Sequence, residues 1–179
     1  APHPFPFPRQ PAMIPRPFAT DRPMNLARVI HLDQSDLEIY DPAAEPGEWV
    51  VPGSFTFSNW TDADLVGQAR QEFAHGFLGL TSFGRATVVS VTPITQGERD
   101  TLVETLAQYF VDHFGAPDLE RATPVAAEEI EHMAGLCSEH PQNTLIVLTR
   151  ELSDQGVKER FRLVPPQGAQ LDAFAVHGD

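Results

Sequence analysis

Apolar residues recur at three- and four-residue spacings after Thr95: Leu102, Val103, Leu106, Ala107, Phe110, Val111 and Phe114 fall on one side, with Glu104, Gln108 and Asp112 opposite. This one-sided pattern predicts a helix packed on a sheet and running to His113. Thr95 with Glu98 supplies a capping box and Gly115 a stop. A second helix is expected over about 61–74, with Thr61 as N-cap, Asp64 in its first turn, and Trp60 and Leu65 placed as a hydrophobic staple. A third should start at Thr123-Pro124, cap followed by proline, and end before His140-Pro141.

Strand patterns fill the intervals. Ala27 to Leu32 reads as a first strand. Ser35 to Tyr40 alternates Leu37 and Ile39 with Asp36 and Glu38, as a half-exposed strand would. Pro42 to Gly47 is a turn, and Glu48 to Phe57 resumes strand character with a bend at Pro52-Gly53. Gly76, Gly79 and Gly84 break the helical period, and the β-branched run over 85–92 makes a further strand. Thr144 to Leu152 is a buried strand, and Ser153 to Gly156 is turn chemistry that returns Val157 to Val164 as its antiparallel partner. Strands and helices mix without strict alternation. The expected class is α+β, one domain with a largely antiparallel sheet and three helices packed on it.

Composition divides the chain differently. Residues 1–23 hold eight of the seventeen prolines and three Arg (Arg9, Arg16, Arg22) against one Asp. That stretch reads as an extended, proline-rich arm. Its Phe5, Phe7 and Phe18 are candidates for docking on the domain or on a protein partner. The domain itself is expected over 24–164, with 165–179 a tail laid on its surface. Met24 opens MNLARVIHLD, a natural first strand, and is a candidate start for the gene. The formal charge is −13, so the chain beyond the arm stands at −15. Such a body repels phosphate backbones, which argues against nucleic acid as partner. One cysteine, Cys137, excludes an intramolecular disulfide within one chain. No run of eighteen apolar residues is present and prolines interrupt any secretory h-region, so the expectation is a cytoplasmic protein without a membrane span.

Candidate chemistry is thin. Glu128, Glu129, His132, Cys137 and His140 sit on one predicted helix, and Glu129-x-x-His132 has a metal-site spacing. At 100° per residue, however, His132 and Cys137 fall on different faces. Cys137 is then a small buried hydrophobe. His132 and His140 would need ligands from elsewhere, and no cofactor is expected. Lys158, Arg160 and Arg162 alternate with Glu159, Phe161 and Leu163, which would line up three cations on one strand face. They suit an anion or carboxylate group, or equally the domain's own surplus carboxylates. The glycine turn over 75–85 fits neither a dinucleotide fingerprint nor a P-loop. His75 and Arg85 would be its ligand-binding side chains, together with Arg160 and Arg162. No recognised nucleophile motif occurs, and no catalytic residue is assigned.

The stretches IYDPAAEPGEWVVPGSFTF (39–57), QEFAHGFLGLTSFGRATVVSV (71–91) and FAVHGD (174–179) resemble a bacterial family filed as a domain of unknown function, over 24–179. The resemblance carries over no site residue. It implies proteobacterial genes lying near redox-enzyme and cofactor-ligase genes, hence an accessory role. The leading expectation is a non-catalytic accessory protein or small subunit of a larger assembly, bound to a protein partner or to a second copy. The alternatives are a small-molecule or anion binder, or enzyme, at the glycine turn, and a metal-binding protein.

Overall fold

The computed structural model describes residues 24–31 and 35–166. Its strands are β1 (Asn25–Ile30), β2 (Val50–Val51), β3 (Phe77–Gly79), β4 (Arg85–Ala86), β5 (Val88–Pro93), β6 (Leu145–Ser153) and β7 (Gly156–Val164). Its helices are α1 (Ser35–Ile39), α2 (Gly67–His75), α3 (Gln96–His113) and α4 (Leu119–Ser138). The larger sheet has the order β1-β5-β6-β7 and the smaller β2-β3-β4, every pairing between these strands being antiparallel. This is the expected α+β domain, with four helices instead of three.

α3 follows its pattern closely. The Thr95–Glu98 capping box is closed, Leu102, Leu106, Ala107 and Phe110 are buried, and Gly115 leaves the helix at φ 75°. The β6–β7 hairpin also forms as expected, paired from Leu145↔Val164 to Ser153↔Gly156. Ile146 and Leu148 are buried on one face of β6 while Thr149 and Glu151 are exposed, the period of a strand covered on one side. α4 covers that face, its His132 reaching Glu159 of β7 at 3.7 Å. Phe55 sets its edge against Phe110 and Phe114 at 5.0 and 5.3 Å, tying the loop after β2 to α3. Each buried Phe contributes roughly 2–3 kcal/mol through area removed from water.

Four expectations in the first half of the chain fail, two through distant contacts and two through local backbone turns. Ser35 to Ile39 is a short helix and no strand: Asp36 is 5% exposed while Leu37 is 60% exposed, the reverse of the alternation. Asp36 turns inward because its carboxylate accepts the Thr87 amide at 3.2 Å, and the hydroxyls of Tyr40 and Thr87 meet at 2.8 Å. The segment expected as one strand over 85–92 is divided at that same Thr87, with β4 in the small sheet and β5 in the large one. The strand expected over 48–57 shrinks to β2, because Gly53 at φ 75° turns the chain into a 3₁₀ turn over 54–57. The Thr61–Asp64 box closes only a 3₁₀ turn over 62–64, and extended Val66 with Gly67 at φ 57° delays α2 to residue 67.

The start of α4 lies four residues earlier than Thr123. Asp118 caps it by accepting the Arg121 amide at 2.8 Å, and Pro124 lies inside the helix. The Thr123 hydroxyl donates to the Leu119 carbonyl at 2.7 Å in that first stretch. Cys137 faces the core, fully buried, and burial pushes its thiol up to about 12. A thiol reagent at pH 8 should therefore modify Cys137 only as fast as the protein unfolds. Labelling that outruns unfolding, followed by mass spectrometry across a denaturant series, would contradict this placement.

Candidate functional site

The alternation of β6 carries a cation into the interior. After Ile146 and Leu148 the next inward position is Arg150, which is buried. Its guanidinium meets the C-terminal end of α2, where the last carbonyls lack intrahelical partners and the helix dipole is negative. Nη1 donates to the carbonyls of Phe73 at 2.9 Å and Gly76 at 2.8 Å, and more weakly to Glu72 at 3.2 Å. Nη2 donates to the Pro52 carbonyl and Nε to the Ser54 hydroxyl. Arg150 is thus a C-terminal cap for α2 supplied from another element.

A second buried arginine joins it. Arg85 Nη1 donates to the same Gly76 carbonyl at 3.1 Å, and Nη2 donates to the Thr56 hydroxyl at 2.6 Å. The Phe57 ring lies against both guanidiniums, at 4.7 Å from Arg85 and 5.0 Å from Arg150. Aromatic faces attract cations, most strongly where water is excluded. Gly76 has no room for a side chain: a Cβ would come within 2.8 Å of the Glu72 carbonyl and 3.1 Å of Arg85. Burial lowers both arginines, to about 10 for Arg85 and about 9 for Arg150, where the nearby Arg85 charge lowers it further. Both remain charged at neutral pH.

The compensating carboxylate is one residue removed. The Ser54 hydroxyl accepts from Arg150 and donates to Glu159, and Glu159 in turn faces His132. Burial pushes the Glu159 carboxyl up, but bonds from His132 and Ser54 and the Arg150 charge outweigh it and leave it below its ordinary value. Glu129, buried on α4, adds negative potential at Arg150. Donors and acceptors in this chain are taken up by the protein's own backbone and hydroxyls. Ser54 is held between a cation and a carboxylate, its hydroxyl hydrogen engaged by Glu159.

The glycine turn is organised by a different carboxylate. Glu48 is buried, and its Oε1 accepts the amides of Thr81 at 2.8 Å and Ser82 at 2.6 Å, while Oε2 accepts the Glu45 amide at 2.7 Å. Gly79 must be glycine because a Cβ there would approach the Glu48 carboxyl carbon to 2.7 Å. Phe83, at φ 57°, leaves this turn and stacks flat on Tyr109 of α3 at 3.9 Å. Beside that stack is an open groove of about 560 Å³ lined by Ser82, Phe83, Glu104, Tyr109, Asp112 and His113. A second groove, about 460 Å³, lies at the other end of α3 and shares Glu104 with the first.

With this geometry in place, a family model matches residues 24–179, nearly the whole chain. The chain belongs to that family, one of unknown function (DUF6505). Neither the comparison with curated proteins nor that with solved structures found a match. Family membership therefore adds no residue role to those read from the structure.

The four proposed ligand residues do not converge. Arg85 is interior, and His75 sits close by at the end of α2, its Nδ1 donating to the Leu148 carbonyl at 3.2 Å. Arg160 and Arg162 are exposed on β7, opposite Thr149 and Val147, and alternate with the inward Glu159 and Phe161. His132 meets Glu159, whereas His140 lies past the end of α4 with its amide bonded to the Cys137 carbonyl at 3.2 Å. Among the described residues no group of three or more His, Cys, Asp or Glu is placed to hold a metal ion. Phe5, Phe7 and Phe18 lie outside the described residues. Sequence reasoning missed Arg150, Ser54 and Phe57. For Arg150 a signal existed, since it continues the inward parity of Ile146 and Leu148.

Replacing Arg150 by Leu leaves the α2 carbonyls and Glu159 without their cation, and should cost about 3–5 kcal/mol in chemical denaturation. Arg150→Lys should recover only part of this, because a single ammonium cannot reach so many acceptors. For Glu159 the folded carboxyl is lowered, so its stabilisation is present above the unfolded value of about 4.3 and is lost as pH falls through the folded value. Glu159→Gln should flatten the acid limb of a stability–pH profile taken by thermal denaturation.

Proposed function

We propose that this protein is a non-catalytic accessory protein or small subunit of a larger bacterial assembly, working in the cytoplasm and docking a basic protein surface. The observation that carries the proposal is an exposed acidic strip along α3. Gln96, Asp100, Glu104, Gln108 and Asp112 recur every four residues and are all exposed. Gln96 donates to Asp100 at 2.7 Å and Gln108 to Asp112 at 2.9 Å, so amides orient the two aspartates of a strip that winds round the helix. At the C-terminal end of that strip the Phe83–Tyr109 stack offers an aromatic floor beside Glu104 and Asp112. Aromatic anchors with a charged rim suit a protein partner, and a chain of net charge −13 steers a basic one toward it.

The interior supports the same reading. Its buried cations and the Glu48 carboxylate are spent on backbone groups of the chain itself. Among the described residues no helix is long and apolar enough to cross a membrane. A redox-enzyme setting rests on the resemblance alone. Native mass spectrometry of the protein isolated at endogenous level in low salt should show a stoichiometric complex that dissociates as salt is raised. Gln108→Arg with Asp112→Lys should lower the association rate at least tenfold. A bare monomer from the wild-type source in low salt would sink the proposal.

A further inference from the structure

The groove at the N-terminal half of α3 differs from its neighbour in what opens onto it. Its floor is apolar, formed by Met24, Val103 and Ala127, and its rim carries Asp100, Glu104 and Glu131. Arg99 crosses it, bonded to Glu131 and with Nη1 at 3.6 Å from the Met24 sulfur. Met24 is fixed there by its carbonyl, which accepts the Ile94 amide at 3.0 Å. The 23 residues before Met24 therefore enter the domain at the wall of an acidic, apolar-floored groove.

Those 23 residues have the complementary composition. Arg9, Arg16 and Arg22 against Asp21 make them net positive, in contrast with the rest of the chain, and Phe5, Phe7, Ile14 and Phe18 supply apolar side chains. Eight prolines restrict their backbone, which lowers the entropy lost on docking an extended segment. At about 3.1 Å per residue an extended chain places Phe18 up to ~19 Å from Met24, within reach of the whole groove. Arg22 and Arg16 flank it at spacings that reach the rim.

We infer that the proline-rich segment 1–23 docks within its own chain in this groove, with the Phe18 ring on Met24, Val103 and Ala127 and the arginines paired to Asp100 and Glu104. The tether makes this an intramolecular event, so modest contacts suffice at the high effective concentration it sets. The inference does not rest on the accessory reading, because its readout needs no partner. It takes up Asp100 and Glu104 of the α3 strip and leaves Asp112 and the Phe83–Tyr109 stack, at the other end of that helix, open to a partner.

The test is NMR on the full chain, with Val and Ala methyls labelled and the residue-18 ring signals identified through Phe18→Leu. Nuclear Overhauser cross-peaks between that ring and the Val103 and Ala127 methyls are expected. They should be absent from a mixed sample in which only contacts between different chains are detected. Cross-peaks confined to the mixed sample would assign the groove to a second copy and overturn the inference. No cross-peaks in the uniformly labelled chain would overturn it as well, leaving the groove to a separate partner. Gln96→Lys with Asp100→Lys, both exposed and outside the core, should weaken the cross-peaks at least twofold in low salt. Intensities unchanged by that reversal would overturn the charge pairing.

Discussion

Two guanidiniums converging on one carbonyl, that of Gly76, set the constraint around which this fold is built. Arg150 arrives from β6 and Arg85 from β4, so the two sheets meet at the end of α2. Such a centre is an expensive way to gain stability, because each cation has lost its water. What it confers is register. Only one placement of α2, of the 54–57 turn and of β6 satisfies the donors of Arg150 together, and a slip of one residue along β6 would turn that cation outward. Phe57, itself packed on Phe73 of α2, and the Ser54–Glu159 relay complete the enclosure.

The parts of the fold legible in the sequence are those decided locally. α3 carries its cap, its apolar stripe and its stop between Thr95 and Gly115, and the β6–β7 hairpin is set by the turn residues between two matched strands. Residues 35–40 and the burial of Glu48 were not legible, because distant partners decide them. Asp36 is helical and inward on account of Thr87, 51 residues away. Glu48 is buried to hold the amides of Thr81 and Ser82, a role that no periodicity announces. The delayed start of α2 is intermediate. Its capping box is real, but the backbone at Val66 and Gly67 ends the turn before a helix can propagate.

The same division holds for the interior charges. Arg85 was identifiable because it lies in the glycine turn, although its role is to brace α2 and the turn at Thr56 instead of presenting a charge to solvent. The exposed arginines of β7 drew attention because alternation makes them conspicuous. Arg150 shares the inward parity of Ile146 and Leu148, but the depth of the sheet at that point decides that it is enclosed. Sequence alternation reports which side a residue faces. It does not report how far the covering layer extends, and that extent decides whether an inward cation is solvated or enclosed.

The division of the chain at Thr87 bears on how the molecule comes apart. A single residue separates β4 from β5, so the small sheet has no linker on which to swing free of the large one. Thr87 is itself pinned by Asp36 and Tyr40 of a third segment. Regions that open independently need a joint with few contacts across it. Here the joint is one residue long and bonded to a third segment. The two sheets, despite their separate hydrogen-bond ladders, therefore lack the joint that independent opening needs.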